Sequence, residues 1–297
     1  MTSDNKTSAA SISKPVLGKN FLLEYVVESA IALGVDSREI SSRLVIRSDS
    51  RQAFLEKHRS ESDSAGEAIG TFQSEVSDKV LTNILAKANR TIVPALPPAR
   101  GGGPGSTVIT LRFEEGERKI MRTFTTGDMN ILSVVEELLS ALAQLSGQLE
   151  AHPLCALQTA IEYKDSPQPH FVLTLRNIGR QRICFADPRL LPPGDPDCWA
   201  GAQVAELPEE KPGITSPPLQ WTRLSLETPA PSALAANVVL GPGESLSAKT
   251  VIWKNWRPKT RYLALGIYSD YTGPAEINGI YRIRGATFSN GLEFTLK

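Results

Sequence analysis

The stretch FVLTLRNIGRQRICF, from Phe171 to Phe185, narrows the folds open to this chain more than any other. Phe171, Leu173 and Leu175 alternate with Val172, Thr174 and Arg176, the period of two that sends one set of side chains into a core and the other toward solvent. Asn177 and Gly179 tolerate positive φ, and Ile183 and Phe185 resume the alternation. The pattern predicts a hairpin of two short strands inside a barrel or sandwich core.

The chain from Cys155 onward continues in strand and turn. Leu157 to Tyr163, Trp221 to Leu226, Ser245 to Trp253, Arg261 to Tyr268, Tyr281 to Arg284 and Leu292 to Leu296 are strand candidates, with turns at Gly241 to Glu244 and Ser289 to Gly291. Strands at this spacing, with no helical pattern between them, predict an antiparallel sandwich over residues 151–297. The succession LTLRNIG, LGPGESLS, YLALGIYSDYTGP and SNGLEFTL resembles the terminal half of bacterial immunoglobulin-like sandwich modules, in which a PGE turn precedes one strand and a Ser-Asn turn precedes the last. The resemblance covers about half the chain. It implies a fold and a habit of binding, without the cysteine pair that bridges two central strands in antibody domains.

Ahead of that half, the pattern predicts smaller units. Residues 1–18 are polar and rich in small side chains, and they are expected to form a disordered tail. Residues 19–93 are expected to form a helical domain. Phe21, Leu22, Tyr25, Val26, Ile31 and Leu33 fall mostly at helical spacing before Gly34, Asp36 and Glu39 resemble a capping box, and Phe72, Val76, Val80, Ile84 and Ala88 recur every four residues. PALPPARGGGPGS, residues 94–106, reads as a proline- and glycine-rich linker between independently folding parts. Residues 107–150 predict a ββα unit: strands at Val108 to Phe113 and Lys119 to Phe124, then a helix capped by Asp128 with Ile131, Leu132, Val135, Leu138, Leu139, Leu142 and Leu145 on one face. The fold class expected is α+β multidomain: a helical unit, a small ββα unit and an immunoglobulin-like sandwich.

Chemistry-bearing motifs are sparse. The glycine run of the linker lacks the preceding strand and the Gly-Lys-Ser/Thr ending of a phosphate loop. His58, His152 and His170 stand outside any metal-binding spacing, and HExxH and CxxC do not occur. Cys155 lies near His152, but a thiolate–base pair needs an orienting third group, and a buried cysteine explains the position more simply. Asp187, Asp195 and Asp197 cluster in one loop without the DxDxDG framework of a calcium site, and Asp-Pro is ordinary turn chemistry. No cofactor and no metal are expected.

Formal net charge is zero and the pI is near 6.9, which argues against a broadly cationic surface for nucleic acid or anionic membrane. Cys155, Cys184 and Cys198 are too few and too scattered for a disulfide framework, and the sequence shows neither a signal-peptide core nor a spanning segment. A cytoplasmic location is expected. The most distinctive surface candidate is WKNWRPKTR, in which Trp253 is assigned to the core, while Trp256, Arg257, Lys254 and Lys259 offer an aromatic anchor among cations for a protein partner. The function expected is a non-enzymatic interaction or adaptor protein. The alternatives are an intracellular protease inhibitor and an enzyme with its site in the sandwich loops.

Overall fold

Four strands, β1 (Leu22–Ala30), β2 (Arg38–Arg47), β3 (Gln52–Lys57) and β4 (Ile69–Glu75), run in sequence as an antiparallel meander in the structure, a computed structural model. It describes residues 18–30, 38–59, 66–91, 107–192, 195, 198–208, 218–228, 235–253 and 256–296; residues 1–17 of the expected tail and the 94–106 linker lie outside the described residues. The chain is mostly β, which overturns the α+β multidomain expectation and its helical unit at residues 19–93. In β2, Leu44 and Ile46 are buried while Arg43, Val45 and Arg47 face the other way, a period of two that the helical reading passed over. The β-branched residues Val26, Val27, Val45 and Ile46 favour the extended chain as well. Of the supposed helical stripe, Phe72 belongs to β4 and Val76 to the turn after it. The helix α1 spans only Asp78–Thr91 and buries Leu81, Ile84 and Ala88.

Strands β5 (Val108–Glu115) and β6 (Arg118–Thr125) and helix α2 (Met129–Glu150) follow, with Asp128 as N-cap accepting from the Ile131 amide at 3.4 Å. They do not stand apart as a unit of their own. β5 pairs with β1 along its whole length, so β4-β3-β2-β1-β5-β6 is one antiparallel array. Leu23, Ile46 and Ala53 form one register row and Tyr25, Leu44, Leu55 and Phe72 the next, all on the face that receives both helices. Against that face pack Leu81, Ile84 and Ala88 of α1 and Ile131, Val135, Leu138, Leu142, Leu145 and Leu149 of α2.

The array continues into the rest of the chain through β7 (Pro153–Lys164), β8 (His170–Asn177) and β13 (Ser245–Lys249), giving a nine-stranded sheet in the order β13-β8-β7-β4-β3-β2-β1-β5-β6. A second sheet holds β11 (Trp221–Ser225), β10 (Cys198–Glu206), β14 (Arg261–Asp270) and β17 (Gly285–Phe288), with β18 (Leu292–Thr295) also on β14. A third holds β12 (Asn237–Leu240), β9 (Ile183–Ala186), β16 (Ile280–Arg282) and β15 (Glu276–Ile277). Between the named strands pairing is antiparallel except between β9 and β16; an isolated parallel bridge joins Arg59 to Ala286 of β17. The face of β7 and β8 that carries Leu157, Leu173 and Leu175 packs on Ala200 and Tyr268 of the second sheet and Ile183 and Phe185 of the third, a sandwich arrangement. Because three of its strands belong to the same sheet as β1 to β6, the segment 151–297 does not close into the separate immunoglobulin-like module that was expected.

The hairpin expected over Phe171 to Phe185 is also overturned. β8 pairs with β7 and β13, whereas β9 pairs with β12 and β16, so the two strands lie in different sheets. The fully buried Asn177 redirects the chain. Its Nδ2 donates to the carbonyl oxygens of Gln181 at 2.8 Å and Leu240 at 3.1 Å, and its Oδ1 accepts from the Gly179 amide at 2.9 Å. A buried amide so fully satisfied fixes a crossover as firmly as a turn fixes a hairpin.

Two glycines set how closely the layers approach. A Cβ at Gly266 in β14 would stand 2.6 Å from Leu173 Cδ1 and 3.1 Å from Ile161 Cβ, so the second sheet reaches β7 and β8 only because no side chain is there. Gly285, at φ +127°, lets the start of β17 come against the end of β3, where a Cβ would meet the His58 carbonyl oxygen at 1.9 Å and the Ala286 amide donates to that same oxygen at 2.8 Å. The strands on the two sides of residues 94–106 pair directly, β1 with β5 and β4 with β7. Cleavage at a protease site inserted into 94–106 is therefore expected to leave both fragments in one particle on size-exclusion chromatography, separating only in denaturant. Elution of two native fragments would contradict the shared sheet.

Candidate functional site

The loop singled out for Trp256 closes one end of the sandwich. Trp256 packs edge-on against Trp253 (centroids 4.5 Å apart) and Tyr262 (5.2 Å), and it also meets Tyr163, Phe171 and Phe294 at 5.7 to 6.0 Å. Edge-to-face geometry at these distances adds to the apolar burial of the rings. The fully buried Tyr262 ties down the backbone beside it, its hydroxyl oxygen accepting from the Arg257 amide at 2.8 Å. Arg257 reaches Glu206 at 3.3 Å in an exposed pair, Lys259 is exposed at φ 62°, and Lys254 lies outside the described residues. The structure thus brings Trp256 and Arg257 together but turns the indole into the aromatic cluster. Trp256→Ala is expected to lower stability by about 3 kcal/mol in chemical denaturation. Stability unchanged within error would show that the ring is dispensable to the fold.

The acidic loop resolves into an ion pair. Both oxygens of the buried Asp187 carboxylate are taken by the Arg189 guanidinium, at 2.8 Å and 2.6 Å, which leaves no ligand set for a cation there. Asp195 is exposed and Asp197 lies outside the described residues. Among the described residues no three His, Cys, Asp or Glu side chains gather in a metal-binding cluster, and the three cysteines form no disulfide. No helix of the described residues is long and apolar enough to cross a membrane.

A second polar group, not foreseen from the sequence, joins β3 to the C-terminal strands. The Glu56 carboxylate accepts from the Tyr281 hydroxyl at 3.3 Å and lies 3.2 Å from His58 Nε2, while His58 Nδ1 faces the Arg284 carbonyl oxygen at 3.1 Å. Both ring nitrogens are engaged, so the group fastens β3 to the C-terminal strands. The hydrogen bond from His58 holds the Glu56 carboxyl below its ordinary value of 4.5, and burial pushes the Tyr281 phenol up. A depressed carboxyl stabilises the fold above its unfolded value and loses that contribution as pH falls through the folded one. Acid unfolding of Glu56→Gln, followed by circular dichroism, is therefore expected to be shallower between about pH 5 and 3 than that of the native chain. Superimposable acid limbs would remove Glu56 from the account.

The remaining site is the outer edge of the nine-stranded sheet. Among the described residues β6 is the last strand in the order and pairs on one side only, with β5. The hairpin closes at Glu115 and Arg118 around a two-residue turn, and the Thr126 amide donates to the Thr107 carbonyl oxygen at 3.0 Å. In an antiparallel pair, hydrogen-bonded positions alternate, so Arg118, Ile120, Arg122 and Phe124 face β5. Lys119, Met121 and Thr123 therefore point their amides and carbonyls away from the sheet. Their side chains share the face opposite the helices, where Met121 is 60% exposed. The sequence predicted this strand, but nothing local in it signals an edge.

No family model matches the chain, and neither the curated proteins nor the solved structures include a match.

Proposed function

We propose that this chain is a non-enzymatic, cytoplasmic interaction protein that takes an extended segment of a partner protein onto β6 as a further strand of its sheet. The observation that carries this reading is the edge at Lys119, Met121 and Thr123, whose main-chain donors and acceptors point outward in line for strand addition; the Met121 carbonyl, which accepts from Arg122 Nη1 at 3.1 Å, exchanges that side-chain donor for a main-chain one when the strand is added. β6 carries Arg118, Lys119 and Arg122 and no acidic residue, so even with Lys119 held by Glu114 of β5 at 3.3 Å the strand favours a segment bearing Asp or Glu. The same cations oppose pairing of β6 with a second copy of itself. Met121 offers the added segment an exposed apolar side chain beside the main-chain ladder. The cysteines, none of them in a disulfide, accord with a reducing compartment.

A pair of proline substitutions separates edge from ladder. Met121→Pro removes an amide that points outward and is expected to change stability by about 1 kcal/mol or less. Ile120→Pro removes one that bonds to β5 and is expected to be clearly less stable. In parallel pull-downs from native lysate, proteins captured by the native chain are expected to be lost with Met121→Pro. Equal capture by a folded Met121→Pro chain would refute strand addition at this edge.

A further inference from the structure

On the helix-covered side of the same sheet, between the last turns of α2 and the ends of β1, β2 and β3, lies a cleft of about 620 Å3. That size falls within the range of small-molecule sites. Val27, Ser42 and Lys57 are register partners across three strands, so their side chains stand side by side on its floor, beside Leu55. The wall facing them is α2, which presents Ala143 and Gly147 one turn apart.

Three features make this a cleft with unused recognition groups. The buried Lys57 ammonium is already held by Glu67 at 2.5 Å and Glu150 at 3.0 Å, so it closes the inner end and needs no further anion. At the mouth, Arg59 is exposed and makes no ion pair among the described residues; beside it the Ser41 hydroxyl is committed to the Val27 carbonyl oxygen at 3.0 Å, while Ser29 reaches Ser41 only at 3.5 Å and can turn to a ligand. Finally, Gly147 has no packing reason to be glycine. A Cβ there would meet nothing within 4 Å, although glycine inside a helix is less stable than alanine. What the missing side chain preserves is the open space in front of the helix.

We infer that this cleft binds a small carboxylate with an apolar body, the carboxylate at Arg59 with the Ser29 hydroxyl beside it, and the body against Val27, Leu55 and the bare helix wall at Gly147. A guanidinium free to form paired hydrogen bonds is suited to a carboxylate, and the apolar strip of Val27, Leu55 and Ala143, beside the polar Ser42 and Lys57, suits a hydrocarbon or ring. Tyr25 of β1 also lines the cleft, and its phenol is a neutral hydrogen-bonding group at neutral pH. This site is distinct from the β6 edge and stands without it.

The test is isothermal titration of the full chain with decanoate and with decan-1-ol, which has the same body and no charge. Saturable binding of decanoate at one site is expected, with decan-1-ol about tenfold weaker. Arg59→Gln should bring decanoate down to the level of decan-1-ol. Gly147→Leu should abolish both while raising or preserving the melting temperature, and Ala143→Leu fills the same wall should Gly147→Leu fail to fold. The Met121→Pro chain should bind decanoate as the native chain does. Absence of saturable binding to the native chain, or undiminished binding in the filled variants, would overturn the inference.

Discussion

Everything else in this molecule depends on one short seam, the pairing of β4 with β7. Ile69, Gly70 and Thr71 lie opposite Leu157, Ala156 and Cys155, and the register shifts before Phe72 meets Pro153. Side chains alternate across a strand, so neighbouring residues of this seam serve different cores. Phe72 and Ala156 face the helices, whereas Ile69, Cys155 and Leu157 face the sandwich. A long sheet must bury its apolar faces, and here the covered face changes sides at the seam. Helices cover one side of β1 to β6, and two further sheets cover the other side of β7 and β8. Among the described residues, the edge at β6 and much of the outer face of β1 to β6 away from Glu56 carry no further layer.

Polar contacts hold the two regions in that relation. Glu56 and Tyr281 join β3 to β16, Gly285 admits β17 to the end of β3, and the Thr287 hydroxyl donates to the Glu67 carbonyl oxygen at 3.0 Å. Within the sandwich, the buried Asp270 and Arg282 pair at 2.7 Å and tie the second sheet to the third. Removing one member of such a pair leaves an uncompensated buried charge, a larger penalty than the pair contributes when intact. These contacts therefore enforce one arrangement of the layers more than they add to net stability.

The candidate sites follow from the same architecture. Aromatic rings at the sandwich end are used for closure, and the acidic loop is neutralised by arginine. What the described layers leave is outward-pointing main chain along β6 and open volume beneath α2. Both are properties of how elements meet, and neither corresponds to a motif.

Local features of the sequence determined local structure. The alternation in β5, β6 and β14, the Asp128 cap and the apolar face of α2 were legible because each rests on contacts within one element or one tight turn. The N-terminal strands were misread because apolar residues on both sides of a short strand also satisfy helical spacing. Only pairing with β2 and β5 decides for the strand in β1. The assignment of β8 and β9 to different sheets was likewise invisible: the buried amide of Asn177 takes its partners from Gln181 and Leu240, the latter far along the chain. Sequence set the elements, by side-chain period and capping. Tertiary structure alone decided which edges pair, which face is covered and which glycine guards a void, because those depend on contacts between residues that the chain holds far apart.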